Sequence, residues 1–156
     1  MEPQVLPASS TCVSLRGDSI DEAHRVQPSD LEAVLPFLVE GLDSCERHAP
    51  VEWRREEILA TVAAGTSELW VGFKENALTG FIVFYMEERA TYRQMVVWVI
   101  YGRGAFDDVP CLKRMAKERG ADRILFATRR EGFKRIADKH GFEFIHSVYK
   151  MDVNDG

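Results

Sequence analysis

The stretch that decides the fold is VVWVIYGRGAFDDVPCLKRMAKERGADRILFAT, from Val96 to Thr128. It begins with an almost wholly apolar run and ends with another, RILFAT (123–128). Runs that are apolar on both faces are typical of strands inside a sheet. Between them, apolar residues recur at helical spacing from Val109 to Ala116, and Gly120 follows as a stop. The stretch therefore predicts two parallel strands with a helix crossing between them.

The segments on either side extend this βαβ unit into a larger α/β order. Ser29 and Glu32 have the pattern of a capping box ahead of a helix, and Pro36 within it allows either a kink or a start later than Ser29. A second helix is predicted from about Pro50 to Ala64, and Gly65 ends it. The further predicted elements are strands 68–75, 78–88 and 94–102, a helix over 131–141, a last strand over 142–153, and short strands at 11–15 and 24–27.

The predicted fold class is α/β, with a mixed, mostly antiparallel sheet, one parallel βαβ crossover and helices on both faces. Residues 1–20 are rich in Pro, Ser and polar residues, which indicates a loose N-terminal arm. Residues 21–156 are long enough for a single domain.

The charge and composition of the chain limit the kinds of partner that the protein is expected to bind. The net charge of −5 disfavours bulk nucleic acid and acidic membranes, and no apolar run is long enough to cross a membrane. The N-terminal residues have no basic head and no long apolar core, so we expect no signal peptide and a cytoplasmic location. The cysteines Cys12, Cys45 and Cys111 have no metal-binding spacing, so we expect three reduced thiols and no metal site.

The turn GRGA, Gly102 to Ala105, joins the central strand to the helix. A strand, a glycine-rich turn and a helix N-terminus together can cradle an anion through backbone N–H groups. Asp107 and Asp108 favour another interpretation, because acids in a first turn stabilise a helix by about 0.5–2 kcal/mol. If the helix begins at Gly104 the glycine N–H groups stay free, and if it begins near Asp108 the aspartates occupy that position.

The order of elements, the strand entering GRGA and the ending TRREGFKRIADKHGFEFIHSVYKMDV (128–153) together resemble the GNAT superfamily of acyl-CoA-dependent N-acetyltransferases. The resemblance covers about residues 23–153 and is strongest to short GNAT-like proteins encoded by tailed bacteriophages. It implies that acetyl-CoA is the cosubstrate, that the strand backbone contacts its pantetheine arm, and that the turn binds its pyrophosphate. The cofactor-binding residues it implies are Val99, Ile100, Tyr101, Gly102, Arg103, Gly104 and Ala105.

The sequence departs from the family pattern at three places. Val99 stands where the family has Arg or Gln, and Ala137 stands where the family has the tyrosine that serves as an acid. The central strand also lacks the common carboxylate base. Acetyl transfer still needs a proton acceptor and an acid for the leaving thiolate. The replacements considered are Glu87, Glu88, Tyr101, His146 and Tyr149, of which we predict Glu88 and Tyr149 as catalytic.

Each of these side chains also has an ordinary structural interpretation. Glu87 and Glu88 are typical of solvated carboxylates at a hairpin, and Trp98 is typical of a core residue. Two functions therefore stay open. The first is an N-acetyltransferase acting on a small-molecule or protein amine, as a monomer or a homodimer. The second is a non-catalytic GNAT-like phage protein that binds a phage partner, in the host cytoplasm or the virion.

Overall fold

A computed structural model describes residues 11–13, 22–48, 53–102, 109–126, 135, 138–139, 141–145 and 151–153. A 3₁₀ turn, Pro28–Asp30, leads into the first helix. The strands are β1 Thr11–Val13, β2 Glu22–Val26, β3 Glu68–Lys74, β4 Ala77–Glu88, β5 Arg93–Gly102 and β6 Arg123–Phe126. The helices are α1 Leu31–His48, α2 Arg55–Ala64 and α3 Val109–Glu118.

The six strands form one sheet in chain order, β1-β2-β3-β4-β5-β6. Neighbours are antiparallel from β1 to β5, and β5 pairs with β6 in parallel, with Met95 opposite Ile124. The α3 helix lies between these two parallel strands in the chain. The predicted parallel crossover and the mostly antiparallel sheet are therefore confirmed, and so are the short strands predicted near residues 11 and 24.

Helices cover both faces of the sheet, as predicted. Residues of α1 and α2, such as Leu38 and Ile58, pack with Val83 and Val99 on one face. On the other face, α3 contributes Leu112, Met115 and Ala116, which pack with strand residues such as Phe84 and Met95. Each face thus has its own apolar core, and we call them the α1/α2 face and the α3 face.

The second helix begins later than predicted, whereas the first begins shortly after Ser29, one of the starts that the sequence allowed. The capping-box segment at Ser29 forms the 3₁₀ turn, so α1 begins at Leu31, and Pro36 lies inside it. The prediction that α2 includes Trp53 is wrong, because Arg54 has an extended backbone (φ −106°, ψ 145°) and serves as the N-cap. Trp53 is still buried in the core, so its apolar character reports packing rather than helix.

The C-terminal elements lie largely outside the described residues. Arg135, Asp138 and Lys139 are helical, in agreement with the predicted last helix. The described ends of the predicted last strand, 142–145 and 151–153, are not in strand conformation, and Phe144 and Met151 are exposed there. The part of that strand between residues 146 and 150 lies outside the described residues.

Candidate functional site

A β-bulge interrupts the pairing of β5 with β4. Val83 lies opposite Val99, but the next residue, Phe84, lies opposite Val97. Trp98 is therefore an extra residue in β5. The extra residue exchanges the faces of the strand: Val97 packs on the α3 face, whereas Val99 packs on the α1/α2 face. Bulges are frequent beside active sites because they re-aim side chains and break pairing.

The parallel pairing with β6 covers only the first half of β5. In the described part of the chain, it runs from Gln94 opposite Arg123 to Val97 opposite Phe126. From Trp98 to Gly102, β5 is bonded to β4 alone among the described strands. The bulge thus lies directly after the last described pair of β5 with β6. Four of the predicted cofactor-binding residues lie in the half of β5 that follows the bulge: Val99, Ile100, Tyr101 and Gly102.

The described end of β5 is held firmly against α1. Tyr101 lies 5.3 Å from Phe81 and 5.9 Å from Phe37, measured between ring centroids. Gly41 of α1 lies over these rings, and a Cβ there would meet both Phe81 and Tyr101. The buried Cys45 thiol donates to the Ile100 carbonyl at 3.7 Å. These contacts fix the strand backbone on the α1/α2 face. Of the other two cysteines, Cys12 and Cys111, the side chains lie outside the described part of the structure.

Gly102 must be glycine for a reason that involves β4. Its φ is +107°, which side chains rarely adopt, and a Cβ would overlap the Thr79 carbonyl oxygen and lie 2.5 Å from Gly80 Cα. Gly80 is its partner across the ladder. The glycine is therefore explained by strand packing without any ligand. The rest of the predicted cradle, Arg103 to Ala105, and the competing aspartates Asp107 and Asp108 lie outside the described residues.

A half-buried aromatic pair lies beside the bulge on the α1/α2 side. The rings of Tyr85 and Trp98 meet edge to face, with centroids 5.4 Å apart. Tyr85 alternates along β4 with Phe84 and Met86, which face α3. Burial raises the pKa of Tyr85, and the negative charge of Glu87 raises it further, against a smaller lowering by Arg89. The hydroxyl therefore keeps its proton throughout the neutral range.

A chain of hydrogen bonds begins at Glu87, two residues beyond Tyr85. Glu87 Oε1 accepts from Gln94 Nε2 at 2.6 Å and from Arg89 Nε at 2.8 Å. Gln94 Oε1 in turn accepts from Arg123 Nε at 2.8 Å. Gln94 is only 2% exposed, so both ends of its amide are used and its orientation is fixed. The amide ties β4, β5 and β6 together and holds the Glu87 carboxylate in place.

Glu88, one of the two predicted catalytic residues, does not belong to the group formed by Tyr85, Glu87 and Gln94. The Glu88 side chain is 76% exposed and pairs with Arg93 at 3.1 Å. By strand alternation, Glu88 points to the opposite side of β4 from Tyr85 and Glu87. Its catalytic role stays a prediction, and Tyr149 lies outside the described residues. Tyr85 and Gln94 were not identified from the sequence, although the period-two alternation of β4 could have placed Tyr85 beside Glu87.

The described residues also form a cavity, which lies away from the bulge at Trp98. A cavity of about 330 Å³ lies between β2, β3 and the start of α1, lined by residues that include His24, Asp30 and Phe73. Within the described ranges, no group of three His, Cys, Asp or Glu side chains could hold a metal ion. No described helix is long and apolar enough to cross a membrane.

The sequence matches no protein-family model and no curated protein, but its fold matches solved structures of acetyltransferases. A probable acetyltransferase shares 16% identity and a TM-score of 0.64, over 86% of this chain and 99% of that one. A ribosomal-protein-alanine N-acetyltransferase from Brucella melitensis biovar Abortus 2308 shares 17% identity and a TM-score of 0.63, over 85% and 98%. A predicted acetyltransferase from Clostridium acetobutylicum, solved with acetyl-CoA, shares 15% identity and a TM-score of 0.60, over 84% and 95%. The chain therefore has the GNAT-like fold that these acetyltransferases share.

Proposed function

We propose that the protein is an N-acetyltransferase that moves an acetyl group from acetyl-CoA to an amine. The observation that carries the proposal is the bulge at Trp98, which breaks the pairing of β5 with β4 where the predicted cofactor-binding half of the strand begins. It lies in a fold shared with acetyltransferases, one of them solved with acetyl-CoA. A strand backbone with unpaired groups can bond an extended amide-containing arm as a further strand would. Such an arm is what pantetheine offers.

On the donor side, the proposed contacts follow the chain from the bulge into the turn. The backbone of Val99 and Ile100 would bond the pantetheine arm and polarise the thioester carbonyl through an N–H group. The turn Gly102 to Ala105 would hold the pyrophosphate, with Arg103 supplying positive charge where Val99 replaces the family's Arg or Gln. Tyr101 is packed against β4 and α1, and Gly102 is packed against β4, so the backbone at this end of the strand is held in place.

On the acceptor side, the amine must lose a proton and the thiolate must gain one. Tyr85 is positioned for the second task, because it lies beside the bulge and its hydroxyl carries a proton at neutral pH, although its raised pKa makes it a weaker acid than a free tyrosine. Glu88 and Tyr149 stay predicted catalytic groups. We propose that water carries the proton of the amine to bulk solvent, because Glu87 and Glu88 lie near the end of β4, several residues from the bulge.

The first test is acetyl-CoA binding and its dependence on Gly104. Gly104→Glu adds bulk and a negative charge where a phosphate oxygen must approach a backbone N–H. We expect the dissociation constant for acetyl-CoA, measured by calorimetry, to rise at least tenfold in this variant. The double change Asp107→Asn with Asp108→Asn should act oppositely and tighten binding by a few-fold at low salt, since each charge contributes about 0.3–1 kcal/mol.

Two departures from the family pattern favour a second candidate, a non-catalytic protein that keeps the fold. Ala137 replaces the usual tyrosine and Val99 the usual Arg or Gln, and Gly102 is needed for strand packing alone. This candidate predicts no acetyl-CoA binding in the wild-type protein. It would then act as an interaction or virion component, and its similarity to phage proteins and its phage partner stay predictions. Measurable binding that Gly104→Glu abolishes without lowering the melting temperature contradicts it.

A further inference from the structure

We propose that Glu87, Tyr85 and Trp98 form the acceptor subsite and that this subsite takes an extended aliphatic polyamine. The inference rests on the proposed acetyltransferase function. It concerns the second positive charge of the acceptor, and not the nitrogen that is acetylated. Nothing in the family resemblance assigns these three residues.

The Glu87 carboxylate is oriented but only partly used. Both of its hydrogen bonds, from Gln94 and from Arg89, go to Oε1. No described group bonds Oε2. The Glu87 side chain is 30% exposed, so Oε2 can meet a ligand, while the buried Gln94 amide prevents the carboxylate from turning away. A fixed carboxylate with one open oxygen suits an ammonium group, which donates short charge-assisted hydrogen bonds.

The aromatic pair of Tyr85 and Trp98 continues the proposed subsite from the Glu87 carboxylate toward the bulge. Tyr85 is two residues from Glu87 on the same side of β4, and Trp98 meets its ring at 5.4 Å. Aromatic faces attract cations and also accept the methylene groups between them. A ligand that alternates ammonium and methylene groups therefore complements the whole surface from Glu87 to Trp98.

The nearby arginines do not cancel the negative charge of Glu87. Arg93 is paired with Glu88, and Arg123 donates to Gln94 and to the Tyr92 hydroxyl, with its guanidinium over the Tyr92 ring. Arg89 pairs with Glu87 itself, but it is 57% exposed, so that pair is weak and open to competition. At the Tyr85 hydroxyl, the effect of Glu87 on the pKa exceeds that of Arg89. Of these two side chains, the carboxylate therefore has the larger effect at the hydroxyl, which favours a cationic ligand.

The separation between Glu87 and the bulge sets the length of the acceptor. Glu87 lies four residues from Val83, which faces Val99, so the carboxylate and the proposed thioester position are about 13 Å apart along the strand. A small monoamine cannot occupy both positions. An extended polyamine can place one ammonium at Glu87 while its far nitrogen reaches the thioester.

The test compares spermidine with butylamine, which share an aminobutyl end but differ in their further charges. Acetylation is followed by the release of the coenzyme A thiol, and binding of spermidine is measured by calorimetry with coenzyme A present. For wild-type protein, kcat/KM for spermidine should exceed that for butylamine at least tenfold. Glu87→Gln should lower this ratio about tenfold and weaken spermidine binding about as much, as expected for one charge-assisted hydrogen bond.

The control is Glu118→Gln, which removes one exposed carboxylate from the end of α3, on the other face of the sheet. It should leave the spermidine preference unchanged. Equal kcat/KM for the two amines in wild-type protein, or an equal loss in both variants, would overturn the subsite while leaving the acetyltransferase intact. Absence of acetyl-CoA binding would instead defeat the proposed function. Melting temperatures and acetyl-CoA affinities of both variants separate a lost subsite from a damaged fold.

Discussion

Arg119→Ala should lower the free energy of unfolding by about 3 kcal/mol, because it removes two charge-assisted hydrogen bonds from the largely buried Glu68 carboxylate, which keeps only the longer contacts, both 3.4 Å, with Arg25 and with the Trp70 indole N–H. Arg119 Nε and Nη2 each lie 2.6 Å from a different oxygen of Glu68, and the two side chains are 13% and 16% exposed. The guanidinium also contacts the Trp70 and Phe84 rings, at 5.7 and 5.3 Å from their centroids. The pair therefore fixes the end of α3 to β3, under the crossover that defines the fold.

Arg55→Ala is the matched control for this prediction. Arg55 also bonds both oxygens of a carboxylate, that of Asp43, at 3.0 and 3.1 Å, but each side chain is 37% exposed. Such a pair contributes at most about 1 kcal/mol. Urea denaturation of both variants measures the difference. Equal losses of stability would show that burial of the Glu68–Arg119 pair has no particular consequence.

Gly102→Ala should also destabilise the protein, by about 3 kcal/mol or more, from an unfavourable backbone angle and from overlap with β4. The added Cβ would meet the Thr79 carbonyl oxygen and Gly80 Cα, both in a strand backbone that cannot easily give way. Gly120 supplies the control, since its φ of +70° is also positive but its Cβ would meet nothing within 4 Å. Gly120→Ala should therefore cost only about 1 kcal/mol, as backbone strain alone.

Thermal melting of the two alanine variants tests this prediction, and similar losses would contradict it. The comparison also decides how Gly102 is interpreted. Loss of acetyl-CoA binding in Gly102→Ala does not by itself identify a phosphate contact, because the substitution already disturbs the strand pair. Gly104 is the better probe of the proposed cradle.

Much of the fold follows from the sequence because its signals are local. The apolar run of β5 and the helical spacing of α3 specify the parallel crossover, and Gly65 ends α2 at a φ of +77°, as predicted. The predicted start of α2 was wrong because Trp53 is buried by tertiary packing and not as part of a helix. In the sequence, a buried apolar residue of an extended segment cannot be distinguished from one of a helix. The exact ends of a helix or strand depend on such packing more than the choice between helix and strand does.

The candidate site follows less readily, because it is built across strands. Gln94 is an unremarkable polar residue in the sequence, and only the pairing of β4, β5 and β6 places its amide between Glu87 and Arg123. Tyr85 likewise gains meaning only from Trp98, which meets its ring edge to face from the neighbouring strand. Spacing along the chain indicates which residues share a strand face, but a bulge changes that rule without a reliable sequence signal.

The extra residue at Trp98 also sets how this chain tolerates changes in length. Deleting Trp98 would make Val97 and Val99 consecutive partners of Phe84 and Val83, so Val97 and Ile100 would still face α3 while Val99 and Tyr101 still faced α1 and α2. Both cores would then keep their other side chains, and only the contacts of Trp98 itself, such as that with Tyr85, would be lost. The strand thus consists of two regular halves that meet at one tryptophan, and the loss of a single codon there would be far less damaging than the loss of one elsewhere in the strand.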